Sequence, residues 1–110
     1  MDKITQMEQI IAKIAEQYMA SRKDKGITFH FIQDNSKKLY ALFEMGFEGR
    51  IFFHACIFHV ALQNEKVWIY QDTSAEGMAE LLLQNGINEK EIVLGYFSPT
   101  YREVTDFAVA

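Results

Sequence analysis

Arg50-Ile51-Phe52-Phe53-His54-Ala55-Cys56-Ile57-Phe58-His59-Val60-Ala61-Leu62 is the run on which the fold turns. It is rich in β-branched and aromatic residues and holds neither Pro nor Gly, the composition of a long strand. Read with a period of two, Phe52, Cys56, Phe58 and Val60 point one way and Ile51, Phe53, Ala55 and Ile57 the other. Both faces are therefore apolar. A single layer of helices covers only one face of an antiparallel sheet. The second face is left to the C-terminal segment or to another subunit, and a homo-oligomer is expected on this ground.

Working outward, Gly46 and Gly49 bracket the turn that leads into the run, and Leu39, Ala41, Phe43 and Met45 alternate ahead of it. Asp34-Asn35-Ser36 is turn chemistry, preceded by Ile27, Phe29, Phe31 and Gln33 alternating with Thr28, His30 and Ile32. On the other side, Asn64-Glu65-Lys66 turns the chain into Val67-Trp68-Ile69-Tyr70. Short turns between successive strands predict an antiparallel meander of four strands. At the N-terminus the period changes: Ile4, Met7, Ile11, Ile14 and Tyr18 fall on one helix face. Asp2 or Thr5 can cap that helix, with Glu8 completing a capping box after Thr5, and Arg22-Lys23-Asp24-Lys25-Gly26 ends it.

After the fourth strand, Asp72-Thr73-Ser74-Ala75-Glu76 opens a second helix, with a Thr73–Glu76 capping box and a Met78, Leu81, Leu82 stripe. Gly86 suits a left-handed stop, and Asn88 with Glu91 repeats the capping pattern over a short turn. Ile92 to Phe97 reads as a short fifth strand broken at Ser98-Pro99, and the apolar end Phe107-Ala108-Val109-Ala110 is expected to dock. The expected fold is α+β: an N-terminal helix, a four-stranded antiparallel meander, a second helix and a short C-terminal strand packed on one sheet. Residues 1–110 form a single domain in this reading, with no linker or repeat.

Hydrophobic residues make up 49% of the chain and include nine Phe, five Tyr and one Trp. That supports a core without disulfides or a metal. No stretch approaches the roughly 20 apolar residues of a membrane-spanning helix, and Met1 to Glu8 lacks the apolar block of a secretory signal. The single cysteine, Cys56, suits a reducing compartment, so a cytoplasmic location is expected. The net charge of −4 is unevenly placed. Residues 1–64 carry eight basic and seven acidic side chains (+1), and residues 65–110 carry three and eight (−5). The cations available for nucleic acid are Arg22, Lys23, Lys25, Lys37 and Lys38, too few and too scattered for tight autonomous DNA binding.

Catalytic chemistry finds little to use. His54 and Cys56 share a strand face, but two ligands do not hold a metal, and a thiol between phenylalanines in mid-strand is ordinarily an inert core residue. His59, five residues from His54, falls on the opposite face by strict alternation; His30 could approach either across the sheet. Asp72, Glu76 and Glu80 are accounted for by turn geometry, helix capping and solvation. Gly46-Phe47-Glu48-Gly49 lacks the Lys and Ser/Thr of a phosphate loop, and no Cys-x-x-Cys, His-Glu-x-x-His or dinucleotide fingerprint is present. No catalytic residue, metal or cofactor is expected. The aromatic residues are more suggestive, because Tyr, Trp and Arg concentrate at interfaces. Tyr96, Phe97, Tyr101, Arg102 and Phe107 are the candidate partner-binding residues.

An ordered series of short motifs carries a resemblance. It runs through Ala15-Glu16-Gln17-Tyr18, Tyr40-Ala41-Leu42, Gly46-Phe47-Glu48-Gly49-Arg50, Cys56-Ile57-Phe58-His59-Val60 and Lys66-Val67-Trp68-Ile69. It continues with Gln71-Asp72-Thr73, Glu76-Gly77-Met78-Ala79-Glu80-Leu81, Gly86-Ile87, Glu91-Ile92-Val93-Leu94-Gly95-Tyr96, Arg102 and the ending Thr105-Asp106-Phe107-Ala108-Val109-Ala110. In these the chain resembles the XisI family, the fdxN element excision controlling factors, over nearly its whole length. Phe47 stands where the family usually has Trp, and Ala61 where an acidic residue follows His59-Val60. The resemblance implies an accessory role in site-specific excision of the fdxN element during heterocyst differentiation in cyanobacteria. It implies partners as well: an XisH-like companion protein and the excision recombinase, XisF. It assigns no catalytic residue. The expected function is regulatory binding of a protein partner; a DNA-contacting factor and an enzyme using His54, Cys56 or His59 are the alternatives.

Overall fold

The computed structural model describes residues 2–22 and 26–110, and within them the elements run α1 (Lys3–Ser21), β1 (Ile27–Asp34), β2 (Leu39–Glu48), β3 (Ile51–Gln63), β4 (Lys66–Asp72), α2 (Met78–Gln84), a 3₁₀ turn (Glu89–Glu91), β5 (Ile92–Leu94) and α3 (Pro99–Arg102). The sheet order is β1-β2-β3-β4-β5. The first four strands pair antiparallel with their sequence neighbours, which is the meander read from the turns. β5 joins β4 in parallel, reached over a connection that contains α2. The Asn64-Glu65 turn between β3 and β4 has positive φ at both residues (55° and 57°), the conformation that matches strand twist in a two-residue hairpin.

α1 places Met7, Ile11, Ile14 and Ala15 against one face of the sheet, with Ile4 and Tyr18 half-buried beside them. α2 adds Met78 and Leu82. Tyr40 and Leu42 of β2, Phe58, Val60 and Leu62 of β3, Val67 and Ile69 of β4 and Ile92 and Leu94 of β5 meet them to form the core.

Several local details differ from simple alternation. The β2–β3 register shifts between Leu42 and Phe43, so that Phe58 opposes Leu42 and Cys56 opposes Phe43, with Ile57 the extra residue. This bulge lets Ile57 and Phe58 both be buried and inverts the parity of β3 beyond it. Cys56 and Phe58 accordingly lie on opposite faces, contrary to a strict period of two. A second shift between His59 and Val60 leaves Tyr70 as the extra residue of β4. β4 pairs with β3 only from Phe58 to Gln63, so the hairpin tip formed by the end of β2 and the start of β3 projects beyond it. Gly46 does not sit in a turn. It lies inside β2, where a Cβ would run into the Gly26 carbonyl and the Phe53 ring.

The helix starts also differ from the expected boxes. Asp2 caps α1 by accepting from the Thr5 amide at 2.8 Å, so Thr5 is not the cap and Glu8 is free for other contacts. α2 begins at Met78 after Gly77, and Thr73 instead donates its hydroxyl to the Cys56 carbonyl. Asp72 takes the capping role from a distance: Oδ2 accepts from the Met78 amide at 2.6 Å and Oδ1 accepts from the Ser74 amide and hydroxyl. The Asn88–Glu91 capping box does form, and Gly86 has φ 95° at the end of α2. β5 stops at Leu94, earlier than the apolar run extends: the Phe97 amide donates to the Leu94 carbonyl at 3.1 Å and closes a turn over Gly95 and Tyr96. Ser98-Pro99 then starts α3 as N-cap and first residue, so the proline opens an element as well as ending one.

Candidate partner-binding surface

The C-terminal segment does dock. The Ala108 amide donates to the Ile92 carbonyl at 2.9 Å, Ala108 bridges Val93 in parallel, and Phe107 packs on the core. Arg102 holds the segment together from within: Nε donates to the Phe97 carbonyl at 2.9 Å, a terminal guanidinium nitrogen donates to the Val109 carbonyl, and the guanidinium lies 5.2 Å from the Trp68 ring centroid. Phe107 and Arg102 are therefore structural contributors to the candidate surface, committed to the chain itself.

The other three candidates converge outward. Tyr96 and Phe97 rings meet at 4.7 Å edge to face, and Phe97 and Tyr101 at 6.2 Å. All three are exposed, Tyr101 by 66%, and Val104 beside them by 81%. A contacting aromatic cluster fixed at a capped turn offers rigid apolar area at low entropic cost, the property of an interface anchor. Burial raises the Tyr96 hydroxyl pKa, with Asp72 adding to the shift, so the phenol stays protonated and able to donate.

The second notable surface is the sheet face away from α1. Met45 opposes His54, Phe43 opposes His30 and Cys56, and Ala41 opposes His59. These β2 residues share one parity, so His30, His54 and His59 lie on one face, because the Ile57 bulge cancels the inversion expected between His54 and His59. His54 stacks on Phe43 at 5.3 Å and His59 tilts against Tyr70 at 5.4 Å. Their β2 partners stand four residues apart, about 13 Å along the strand, too far for a shared ion. Among the described residues no three His, Cys, Asp or Glu gather as a metal site. Cys56 donates its thiol to the Phe58 carbonyl, and burial raises its pKa, the opposite of an activated nucleophile.

The cations are partly committed. Lys38 pairs with Glu8 at 3.1 Å, and Arg22 lies 3.5 Å from Glu44. That second contact is an ion pair too long for a hydrogen bond, which leaves Glu44 Oε1 buried without a donor. Lys23 and Lys25 lie outside the described residues. The shallow depressions that border α1, one of them between Ile10, Lys13 and Asn85, bring together no set of titratable groups suited to acid–base work.

Comparison with known proteins gives the family directly, since the XisI protein family matches residues 1–109. The chain belongs to the XisI family. It is similar to the crystal structure of a XisI-like protein from Anabaena variabilis at 25% identity and a TM-score of 0.87, over 97% of this chain and 99% of that one. It is also similar to the fdxN element excision controlling factor XisI from Anabaena variabilis at 28% identity and a TM-score of 0.79, over 99% of this chain and all of that one. The α+β architecture of this XisI-family chain is thus a known one. Comparison with curated proteins finds no match. No helix among the described residues is long and apolar enough to cross a membrane.

Proposed function

We propose that this XisI-family chain is a non-catalytic accessory protein that supports site-specific DNA excision in heterocyst differentiation by binding a protein partner, an XisH-like companion, in a reducing cytoplasm. The observation that carries the binding mode is the exposed Tyr96–Phe97–Tyr101 cluster on a framework fixed by Arg102 and the Ser98 cap. Aromatic anchors on a rigid base lose little entropy on binding and supply most of an interface's affinity. Direct DNA contact is disfavoured by the net charge of −4 and by the pairing of Arg22 and Lys38 with carboxylates. The recombinase is then reached through the companion.

Co-expression with the companion followed by size-exclusion light scattering tests this. A stable complex with the wild-type chain is expected, and none with Tyr96→Ser/Tyr101→Ser, whose substituted rings are exposed and leave the core intact. Removing everything after Pro99 is the poorer test, since Phe107 and Ala108 belong to the fold. Absence of any complex, or a complex indifferent to the double substitution, overturns the proposal.

A further inference from the structure

We propose that the companion adds an extended segment of its own to the open edge of β3, beside the aromatic cluster; the inference rests on the companion-binding reading above. β4 covers β3 only from Phe58 onward, so Ile51 to Cys56 pairs with β2 on one side and with no strand on the other. The direction of the free groups follows from Cys56. Its carbonyl accepts from Gln71 Nε2 and from the Thr73 hydroxyl, both at 3.1 Å, so it faces the β4 side. The β2–β3 register is regular from Phe52 to Cys56, and the backbone groups of an antiparallel ladder alternate in direction from residue to residue. The amides and carbonyls of Phe52 and His54 therefore face outward as well, while those of Phe53 and Ala55 face β2.

A row of free backbone donors and acceptors is the complement of another extended backbone. Natural sheets blunt such an edge with Lys, Pro or a bulge. Ile51-Phe52-Phe53-His54-Ala55 has none of these, and Ile51 and Phe52 are 73% and 53% exposed. The bulge comes later, at Ile57, where the Thr73 amide already donates to the carbonyl at 2.8 Å. Position selects the occupant. The free stretch begins where β4 ends, and the C-terminal aromatic turn stands at that same end of β4: Gly95 lies against the Tyr70 ring, and the Asp72 charge reaches the Tyr96 hydroxyl. A segment paired with Phe52 and His54 runs on toward Tyr96 and Phe97, so one partner uses both. The other edges lack this continuity, since Ala108 takes that of β5 and β1 lies at the opposite side of the sheet. The visiting segment needs about four extended residues, with an apolar side chain beside Phe52.

Calorimetric titration and residue-resolved amide exchange with the companion test this. His54→Ala keeps the backbone donor and is expected to bind within about threefold of wild type. His54→Pro removes the outward amide at an edge position, where a strand tolerates proline. It is expected to bind at least ~10-fold more weakly, with thermal unfolding little changed. Should His54→Pro fail to fold, exchange in the wild-type chain decides. The Phe52 and His54 amides are expected to exchange at least ~10-fold more slowly in the complex, while those of Phe53 and Ala55, which face β2, change little. Unchanged exchange at Phe52 and His54, or a folded His54→Pro that binds like wild type, overturns the inference. The companion reading then still stands if Tyr96→Ser/Tyr101→Ser abolishes binding, whereas absence of any complex with the wild-type chain removes both. Phe52 and His54 amides already slowed in a dimer of the chain alone give the edge to a second copy and overturn the inference too.

Discussion

Tyr40 is 1% exposed and still carries a hydroxyl, which donates to Glu8 Oε2 at 2.6 Å across the α1–sheet boundary. The Tyr40 bond, more than the nearby Lys38 ammonium, holds the Glu8 carboxyl below the usual carboxylate range. A depressed folded-state pKa contributes stability that is present above the unfolded value near about 4.3 and is lost as pH falls through the folded one. Tyr40→Phe is therefore expected to lower unfolding free energy by about 1–2 kcal/mol at pH 7. The gap from wild type should narrow as pH falls below about 4 in urea denaturation series at both pH values. An equal gap throughout would place the effect in packing alone. Residues of this kind are only half legible in a sequence. Tyr40 and Glu8 each fit their element's apolar or polar pattern, but nothing in the spacing joins two side chains thirty-two positions apart.

Element ends show the same limit. Thr73 and Glu76 satisfy the local rule for a capping box, yet the helix begins two residues later and Asp72, six residues from Met78, accepts its first amide. Asp72→Ala is expected to cost about 1–2 kcal/mol in thermal or urea unfolding, within the range of helix-cap losses. Glu76→Ala should change it by less than about 0.5 kcal/mol. The reverse order would restore the Thr73–Glu76 box. The meander, by contrast, was written in the turns: Asn64-Glu65 and Asp34-Asn35-Ser36 sit between alternating runs, and the strands pair as those turns require. Parity along β3 was not legible. A bulge at Ile57 follows from which neighbours compete for the core, and it alone decides that His54 and His59 share a face. Gly46 carries the same lesson, because a close approach from the start of β1 is a tertiary event that no dipeptide rule contains.

For the whole molecule, apolarity on both sides of the central strand already told that one helix layer would not suffice, and the structure leaves most of the second face open. The docked tail covers its β5 edge, where Ala108 reaches Val93 and Arg102 lies over Trp68. Of the five C-terminal residues singled out by type, Tyr96, Phe97 and Tyr101 form the outward cluster, while Arg102 and Phe107 hold it in place. Residue type marked the region; only the fold shows which of the five face outward and which hold the segment. The direct measurement of that division is a calorimetric titration of the XisH-like companion into the wild-type chain and into Tyr96→Ser/Tyr101→Ser. Affinity at least ~30-fold weaker for the double variant, with unfolding unchanged, is the expected result for two anchor rings. Equal affinity would contradict the placement of the partner interface on the C-terminal aromatic cluster.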